Sequence, residues 1–354
     1  MSQKDKKKAG SGKRIALIIL CVFLSIVLVL LLGATVYVER MFSLIRRPVT
    51  EAPTQPTTVA TLPSESIGNT VPTQPVQTGP KETNPVIEPS ADMINVLLVG
   101  CDLGGKRTDT VMLCTVNKVA KTITLTSFLR DTYVYIPDYF PHKLNTAFSL
   151  GGIDTLRATL KENYGVVVDG YVTVDFAGFI DIINALGGIE VDLTADEVWY
   201  MESAPWDGLS SSGWNLHEGT NLLNGDQTLA YARIREVNDS EGNPGDFGRA
   251  NRQRRVISLL LEKAKKMNMF QINDVLECAL SAVSTDFSDA EIVNHILDVL
   301  PLLKDLKLNT QQIPSEDNWY LDWVEQDGGL SIVDTRDISL DREILRQIMT
   351  GEAG

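Results

Sequence analysis

Read for its hydrophobic and polar positions, the chain falls into three parts: an uncharged apolar run, a stretch with no apolar periodicity, and a long region where strand-like and helix-like patterns alternate. The apolar run, residues 15–38 (IALIILCVFLSIVLVLLLGATVYV), carries no charge. As a helix it spans about 36 Å against a hydrocarbon layer of roughly 30 Å. It is longer than the apolar core of a secretory leader, and no small-residue cleavage pattern follows it. It therefore predicts one transmembrane anchor. Beyond residue 93, short Val- and Leu-rich runs predict strands at INVLLVG (94–100), TVMLCTVN (110–117), TITLTSFL (122–129), YVTVDF (171–176) and IEVDL (189–193). Helical patterns fall at 151–165 and 177–188, both closed by glycine, and in a long helix from near Gly248. The apolar stripe of that last helix is Val256, Ile257, Leu260, Leu261 and Ala264. Ser288 and Glu291 form a capping box that opens a helix to about Leu303. Strands near 308–313 and 329–333 and a helix near 340–349 complete the set, and 195–222 reads as a long loop bearing Trp199, Trp206 and Trp214. Strands alternating with helices predict an α/β fold: a layered α-β-α sandwich around a mixed central sheet, preceded by the transmembrane helix.

Charge sets the orientation. Residues 1–14 carry Lys4, Lys6, Lys7, Lys8, Lys13 and Arg14 against Asp5, so this basic tail is expected in the cytoplasm and the bulk of the chain outside it. Residues 39–92 follow as a linker. From 48 onward they hold nine of the fifteen prolines among Thr, Gln and Ser, a composition that buries no core. Residues 93–354 are then an extracytoplasmic catalytic domain. The net charge of −14 includes about +5 from the tail, so the rest is strongly acidic, which argues against a general nucleic-acid partner. With no CxxC and only His142, His217 and His295, zinc and thiol-redox chemistry lack parts, and a Cys101–Cys114 disulfide is not expected.

Against that acidic background one basic stretch stands out. Residues 224–267 hold six of the sixteen arginines: Arg233, Arg235, Arg249, Arg252, Arg254 and Arg255. Carried back toward the N-terminus, the helix stripe passes through Arg249, Arg252 and Gln253. Cations at that end oppose the macrodipole unless an anion is bound there, and a helix N-terminus with guanidinium forks makes a phosphate cradle. Arg233 and Arg235 point one way if YARIR is extended. Asp102 and Asp109 flank a short turn between two strands, spaced to share one Mg²⁺, with Arg107 close by. Arg130 and Asp131 close the third strand. The loop 100–107 matches GxxxxGK, but Arg107 stands where a P-loop needs Ser or Thr, and the pattern that follows is strand rather than helix. Carboxylates, Mg²⁺ and arginines together describe a pyrophosphate site.

These segments resemble the LytR–CpsA–Psr family of cell-envelope proteins. The resemblance is carried by NVLLVGCD, RTDTVML, SFLRDTYVYIP, HKLNTAFSLGG, VTVDFAGFIDIINALGGIEVDL, LNGDQTLAYARIRE and GDFGRANRQRRVI. It covers about 94–270 strongly and extends loosely to the C-terminus. It implies a membrane-bound phosphotransferase that moves an anionic glycopolymer, such as teichoic acid or capsule, from a polyprenyl-pyrophosphate carrier to peptidoglycan. It places Asp102 and Asp109 on metal ligands for Mg²⁺, with Mn²⁺ as a substitute. Arg130, Arg233, Arg235, Arg249 and Gln253 fall on pyrophosphate-binding residues, and Arg107 and Asp131 are neighbours in the same motifs. Asp102, Arg130 and Asp131 are the catalytic candidates, Asp102 as proton acceptor. A polyprenyl tail needs an apolar slot, expected between the helices at 152–163 and 176–186. Two alternatives share the site: a polyprenyl-pyrophosphate hydrolase, and a non-catalytic polyprenyl-phosphate-binding regulator of envelope assembly.

Overall fold

The structure, a computed structural model, describes residues 40, 42–45, 47, 85–101, 108–206, 209, 213–326 and 329–352. The apolar run 15–38, the basic tail, most of the linker and the loop 102–107 lie outside the described residues. Among the described residues, no helix is long and apolar enough to cross a membrane. Met1–Ile45 and Arg46–Gly354 form separate compact units.

In chain order the elements of the second unit are β1 (Met93–Cys101), β2 (Thr108–Asn117), β3 (Thr122–Phe128), β4 (Tyr133–Val134), β5 (His142–Lys143), α1 (Leu144–Tyr164), β6 (Gly170–Val174), α2 (Phe176–Ala185), β7 (Ile189–Leu193), α3 (Ala195–Ser203), β8 (Gly219–Leu223) and α4 (Gly225–Arg233). Then come α5 (Gly245–Lys265), α6 (Met269–Ala282), β9 (Val283–Thr285), α7 (Asp289–Val299), β10 (Lys307–Ile313), β11 (Trp319–Val324), β12 (Leu330–Thr335) and α8 (Ile338–Thr350). The six-stranded sheet runs β10-β3-β2-β1-β6-β9. The β1–β2, β2–β3 and β6–β9 pairs are antiparallel, whereas β1–β6 and β3–β10 are parallel, so the sheet is mixed as expected.

The alternation of each strand sorts the core into two layers. Leu97, Val99, Val111, Leu113 and Phe128 share one face and pack under Leu156, Leu160 and Tyr164 of α1 and Leu345 and Met349 of α8. Leu98, Met112, Val172 and Val174 share the other, beneath α2, α4 and α5. The chain joins this core before residue 93. Ile87 is buried in the first layer and its N–H donates to Gly165 O, so the linker ends earlier than its composition suggests. Gly165 ends α1 at φ 75, where a Cβ would meet Pro85 O.

Several expectations are corrected. The region 195–222 is not one loop. Thr194 and Glu197 form a capping box that opens α3, and β8 pairs with β7 before α4 begins. Within it Trp206 donates to Met201 O and meets Tyr200 edge-on, while Trp199 is exposed. YARIR is not extended: Arg233 closes a helix capped by Asn224 and Gln227, and Arg235 lies just beyond it. The arginine-rich helix starts at Gly245 rather than near Gly248, which puts Asp246 in its first turn. The helix predicted at 151–165 begins at Leu144 and is interrupted at Gly151 and Gly152, where φ/ψ leave the helical region. Cys101 faces Thr108 and Cys114 faces Val96, so the two are not neighbours and no disulfide joins them. Burial pushes the Cys114 thiol up to about 12, which leaves no thiolate at neutral pH.

Candidate active site

Strand register brings the first pair of groups together. Val111 lies opposite Phe128 in the antiparallel β2–β3 pair. Two residues further along each strand come Asp109 and Arg130, and Arg130 Nη1 donates to Asp109 Oδ1. Helix α5 lies across the end of β3 and delivers a second set. Asp246 is in its first turn, Arg249 one turn on, and Gln253 one turn further, so all three share a face. Gly248 lets the preceding loop fold tightly against the start of this helix, since a Cβ there would lie 2.4 Å from Asn243 O.

Asp246 is the hub of the cluster. Its Oδ1 meets Arg249 Nη2 at 2.6 Å and Arg130 Nε at 3.5 Å, and its Oδ2 accepts from Arg235 Nη2 at 3.2 Å. Arg249 Nη1 also reaches Asp109 Oδ1 at 3.8 Å. Asp131 lies 3.8 Å from Arg130 Nε and 3.4 Å from Lys143 Nζ. The two buried carboxylates are driven apart. Burial raises Asp131 above the usual carboxylate range, and the charge of Asp246 adds to that. Burial acts on Asp246 too, but Arg249, Arg130 and Arg235 outweigh it and hold that carboxyl below the range. Arg249, almost fully buried, is brought down to about 10 by desolvation, against the pull of Asp246.

An apolar cavity of about 260 Å³ opens from this cluster, between the second face of the sheet and α2, α4 and α5. Leu98, Met112, Phe179, Ile183, Val256 and Leu260 line it, while Asp109, Arg233 and Gln253 stand in its wall. Asp109 and Gln253 also border the polar cleft formed with Arg130, Asp246 and Arg249, so the two spaces share a boundary. The Arg233 guanidinium lies 4.8 Å over the Phe176 ring. Among the described residues, its Nη1 is buried without a hydrogen-bond partner, whereas Arg130 Nε, also without a hydrogen bond, has the ion pairs to Asp246 and Asp131. Buried donors of this kind call for an acceptor, and charged ones for an anion.

The expected residues sort as follows. Arg130, Asp131, Asp109, Arg235 and Arg249 converge, and Arg233 and Gln253 stand where the cluster meets the cavity. Asp102 and Arg107 lie outside the described residues. Arg252 does not face the anion site, contrary to its place on the projected stripe. It is buried against Glu197, Nε to Oε1 at 2.7 Å, and donates to the carbonyls of Ile234, Val237 and Asn238. Arg254 turns to Asn251, and Arg255 to Ser240. The slot is not between the helices at 152–163 and 176–186, which lie on opposite faces of the sheet. Leu156 and Leu160 are core. Sequence reasoning missed Asp246 and Lys143. The signal for Asp246 is its place three residues before Arg249, in a segment whose composition is that of a loop.

Asp109 offers hard oxygen atoms to a cation. Among the described residues no three His, Cys, Asp or Glu side chains gather into a metal cage. Asp109 is already paired with Arg130 and Arg249, and Asp102, the second carboxylate expected of a Mg²⁺ site, lies outside the described residues.

The fold is a mixed α/β sheet with an apolar cavity that ends in arginines and carboxylates. The chain belongs to the LytR_cpsA_psr family, whose model matches residues 65–332. It is 32% identical over 212 residues to the polyisoprenyl-teichoic acid–peptidoglycan teichoic acid transferase TagU of Enterococcus faecalis, covering 58% of this chain and 65% of that one. It is 36% identical over 170 residues to the regulatory protein MsrR of Staphylococcus aureus, covering 47% of this chain and 48% of that one. The chain thus spans about half to two thirds of the curated relatives it matches. The crystal structure of Bacillus subtilis TagV superposes with a TM-score of 0.58 at 25% identity, over 73% of this chain and 98% of that one.

Proposed function

We propose that the protein is a membrane-anchored, Mg²⁺-dependent phosphotransferase that moves an anionic glycopolymer from a polyprenyl-pyrophosphate carrier to peptidoglycan. The observation that carries this reading is the shared wall between the apolar cavity and the arginine cluster, with Arg233 Nη1 buried there without an acceptor among the described residues. The cavity takes the start of the polyprenyl chain, and the cluster takes the pyrophosphate. The relative TagU, named as a teichoic acid transferase, supports the choice of substrates. Residues 15–38 are the anchor, residues 1–14 stay in the cytoplasm, and the folded unit works outside.

In this reading the acceptor hydroxyl attacks the phosphorus nearer the glycan. A new P–O bond forms to the acceptor, the bridging P–O bond breaks, and polyprenyl phosphate leaves. Arg130, Arg235 and Arg249 neutralise the charge that builds on the leaving group, and they are already held in place before the reaction. The hydroxyl proton goes to a carboxylate. Asp102 is the residue the sequence motif offers. Asp131 is the carboxylate of the cluster whose affinity for a proton is raised by burial and by Asp246. Asp109, with Asp102, would hold the Mg²⁺, which when bound would supply further charge neutralisation at the phosphate oxygens.

The test is to mix the purified full chain in detergent with a polyprenyl-pyrophosphate-linked saccharide and Mg²⁺, with and without peptidoglycan oligomers. Polyprenyl phosphate is followed by mass spectrometry. Release that depends on the acceptor, with a phosphodiester-linked product, is expected. Release without acceptor replaces the transferase by a pyrophosphatase, and lipid binding with no turnover in either mixture replaces it by a binding protein.

A further inference from the structure

Arg233 is held unlike the other arginines of the site. Arg130, Arg235 and Arg249 each meet the Asp246 carboxylate. Among the described residues, Arg233 has no such ion pair, and two aromatic rings take its place. The guanidinium carbon lies 4.8 Å over the Phe176 ring and 6.0 Å over the Trp206 ring. Phe176 opens α2 and lines the apolar cavity, whereas Trp206 comes from the segment that follows α3.

The Trp206 ring is itself fixed. Its Nε1 donates to the carbonyl of buried Met201 at 3.1 Å, and the Tyr200 ring stands edge-on to it with centroids 5.6 Å apart. The backbone around Arg233 is fixed as well. Gln253 Nε2 donates to Ala232 O at 3.4 Å, and Arg252 donates to the carbonyls of Ile234, Val237 and Asn238. Arg252 in turn pairs with Glu197 of α3, the helix that leads to Trp206. One scaffold therefore holds both the chain that carries Arg233 and the indole beside it.

Rings and carboxylates hold a cation in different ways. A carboxylate neutralises the charge and occupies N–H donors. An aromatic face attracts the cation through its quadrupole, carries no net charge, and leaves the donor edge of the guanidinium free. That edge includes Nη1, which is buried without a partner among the described residues, in a wall it shares with Asp109 and Gln253. A desolvated, unneutralised donor is matched by an anion. Phe176 and Arg233 line the cavity and Trp206 does not, so the indole acts through the arginine rather than on the lipid chain. We infer that Trp206, together with the Phe176 ring, is a positioning residue for Arg233. The rings hold the guanidinium where cavity and cluster meet, with its charge kept for the pyrophosphate head. This inference rests on the reading of the site as one for a polyprenyl pyrophosphate, and adds what holds Arg233 in place.

The experiment is a double-mutant cycle on the full chain in detergent: wild type, Trp206→Leu, Arg233→Ala and the double variant, with Trp206→Phe as the conservative control. Binding of farnesyl pyrophosphate is measured by calorimetry, and thermal unfolding checks each fold. Leucine keeps apolar bulk without a ring face, and phenylalanine keeps a face without the Nε1 donor. The expected result is binding weakened about tenfold in Trp206→Leu, and largely restored in Trp206→Phe. In the Arg233→Ala background Trp206→Leu should then cost less than about twofold, since the two residues act as one unit. A purely structural role weakens binding equally in both backgrounds, and that outcome overturns the inference. So does wild-type affinity in Trp206→Leu, and either result leaves the transferase reading standing if acceptor-dependent transfer is seen. If the cycle comes out as expected but wild type transfers nothing to peptidoglycan oligomers, the transferase reading fails while the positioning role stands. Absence of farnesyl pyrophosphate binding by wild type overturns the site reading and this inference with it.

Discussion

The most demanding single test of the fold around the site is Glu197→Ala. Glu197 and Arg252 form an ion pair with side chains 0% and 1% exposed, Nε to Oε1 at 2.7 Å. Glu197 has a second duty, since its Oε2 accepts the Thr194 N–H at 3.0 Å and completes the cap of α3. Truncation leaves the Arg252 guanidinium buried with only the carbonyls of Ile234, Val237 and Asn238. Breaking a buried pair by removing one partner costs about 3–5 kcal/mol, and a lost half of a capping box about 1 kcal/mol more. For a domain of this size each kcal/mol lowers Tm by roughly 2–4 °C, so Glu197→Ala should melt at least about 8 °C below wild type. Glu197→Gln keeps one acceptor oxygen for two donors that use different oxygens, so it serves one of them and should fall clearly between the two. The assay is thermal and urea unfolding of the full chain in detergent, followed by tryptophan fluorescence. A loss under about 1 kcal/mol in Glu197→Ala, typical of solvent-screened pairs, would refute the claim that the pair is dry.

Three further outcomes follow from the cluster. Arg249→Ala removes a buried charge-assisted contact of about 1.5–3 kcal/mol, so transfer should drop at least tenfold with the fold intact. Unchanged transfer removes Arg249 from the site. Asp246→Asn takes away the like charge that helps raise Asp131, so the Asp131 carboxyl should titrate lower, read by carbon NMR of that carboxyl. Wild-type Asp246 is held below the usual carboxylate range, so its contribution to stability is complete above the unfolded carboxylate value near 3.9. It is lost as pH falls through its lower folded value, and acid unfolding of the variant should lack that step. Ile257→Trp fills part of the apolar cavity from its α5 wall and should weaken binding of a polyprenyl phosphate at least tenfold, while leaving that of inorganic pyrophosphate unchanged.

The sequence is clearest where one local pattern decides the structure. The strands at 94–100, 122–129 and 189–193 are marked by their apolar runs, and Ser288 with Glu291 marks the start of α7. Asp109 and Arg130 are legible as strand-end residues, but their contact is a matter of β2–β3 register, which no single strand encodes. Arg252 shows the limit of helical projection. Projection puts it on the inward stripe, and it does face inward, but its partner Glu197 lies 55 positions away on another helix. Asp246 escapes for a different reason. Asn243, Pro244 and Gly245 are all turn residues, and Pro244 as N-cap starts the helix where composition suggests it has not begun. The cavity is foreseeable in kind but not in place, because strand alternation assigns α1 and α2 to opposite faces and the order of helices along the chain does not.

The place of Asp246 explains how so many cations can converge before any substrate arrives. Arg130, Arg235 and Arg249 all meet this one carboxylate. Two unit charges 4 Å apart near a protein surface interact by about 4 kcal/mol, so three guanidinium groups packed without a counter-charge would push each other out of the cleft. Asp246 offsets that repulsion and holds their forks in fixed directions. Among the described residues of the cluster, Arg130, Arg235, Arg249 and Lys143 meet Asp109, Asp131 and Asp246, and Asp131 takes up a proton more readily than Asp246. A phosphate entering there need not displace the carboxylate. It meets a donor that Asp246 leaves over, Arg233 Nη1. The positioning is thus complete in the folded chain, and the binding energy of the anion is available for the reaction rather than for assembling the site.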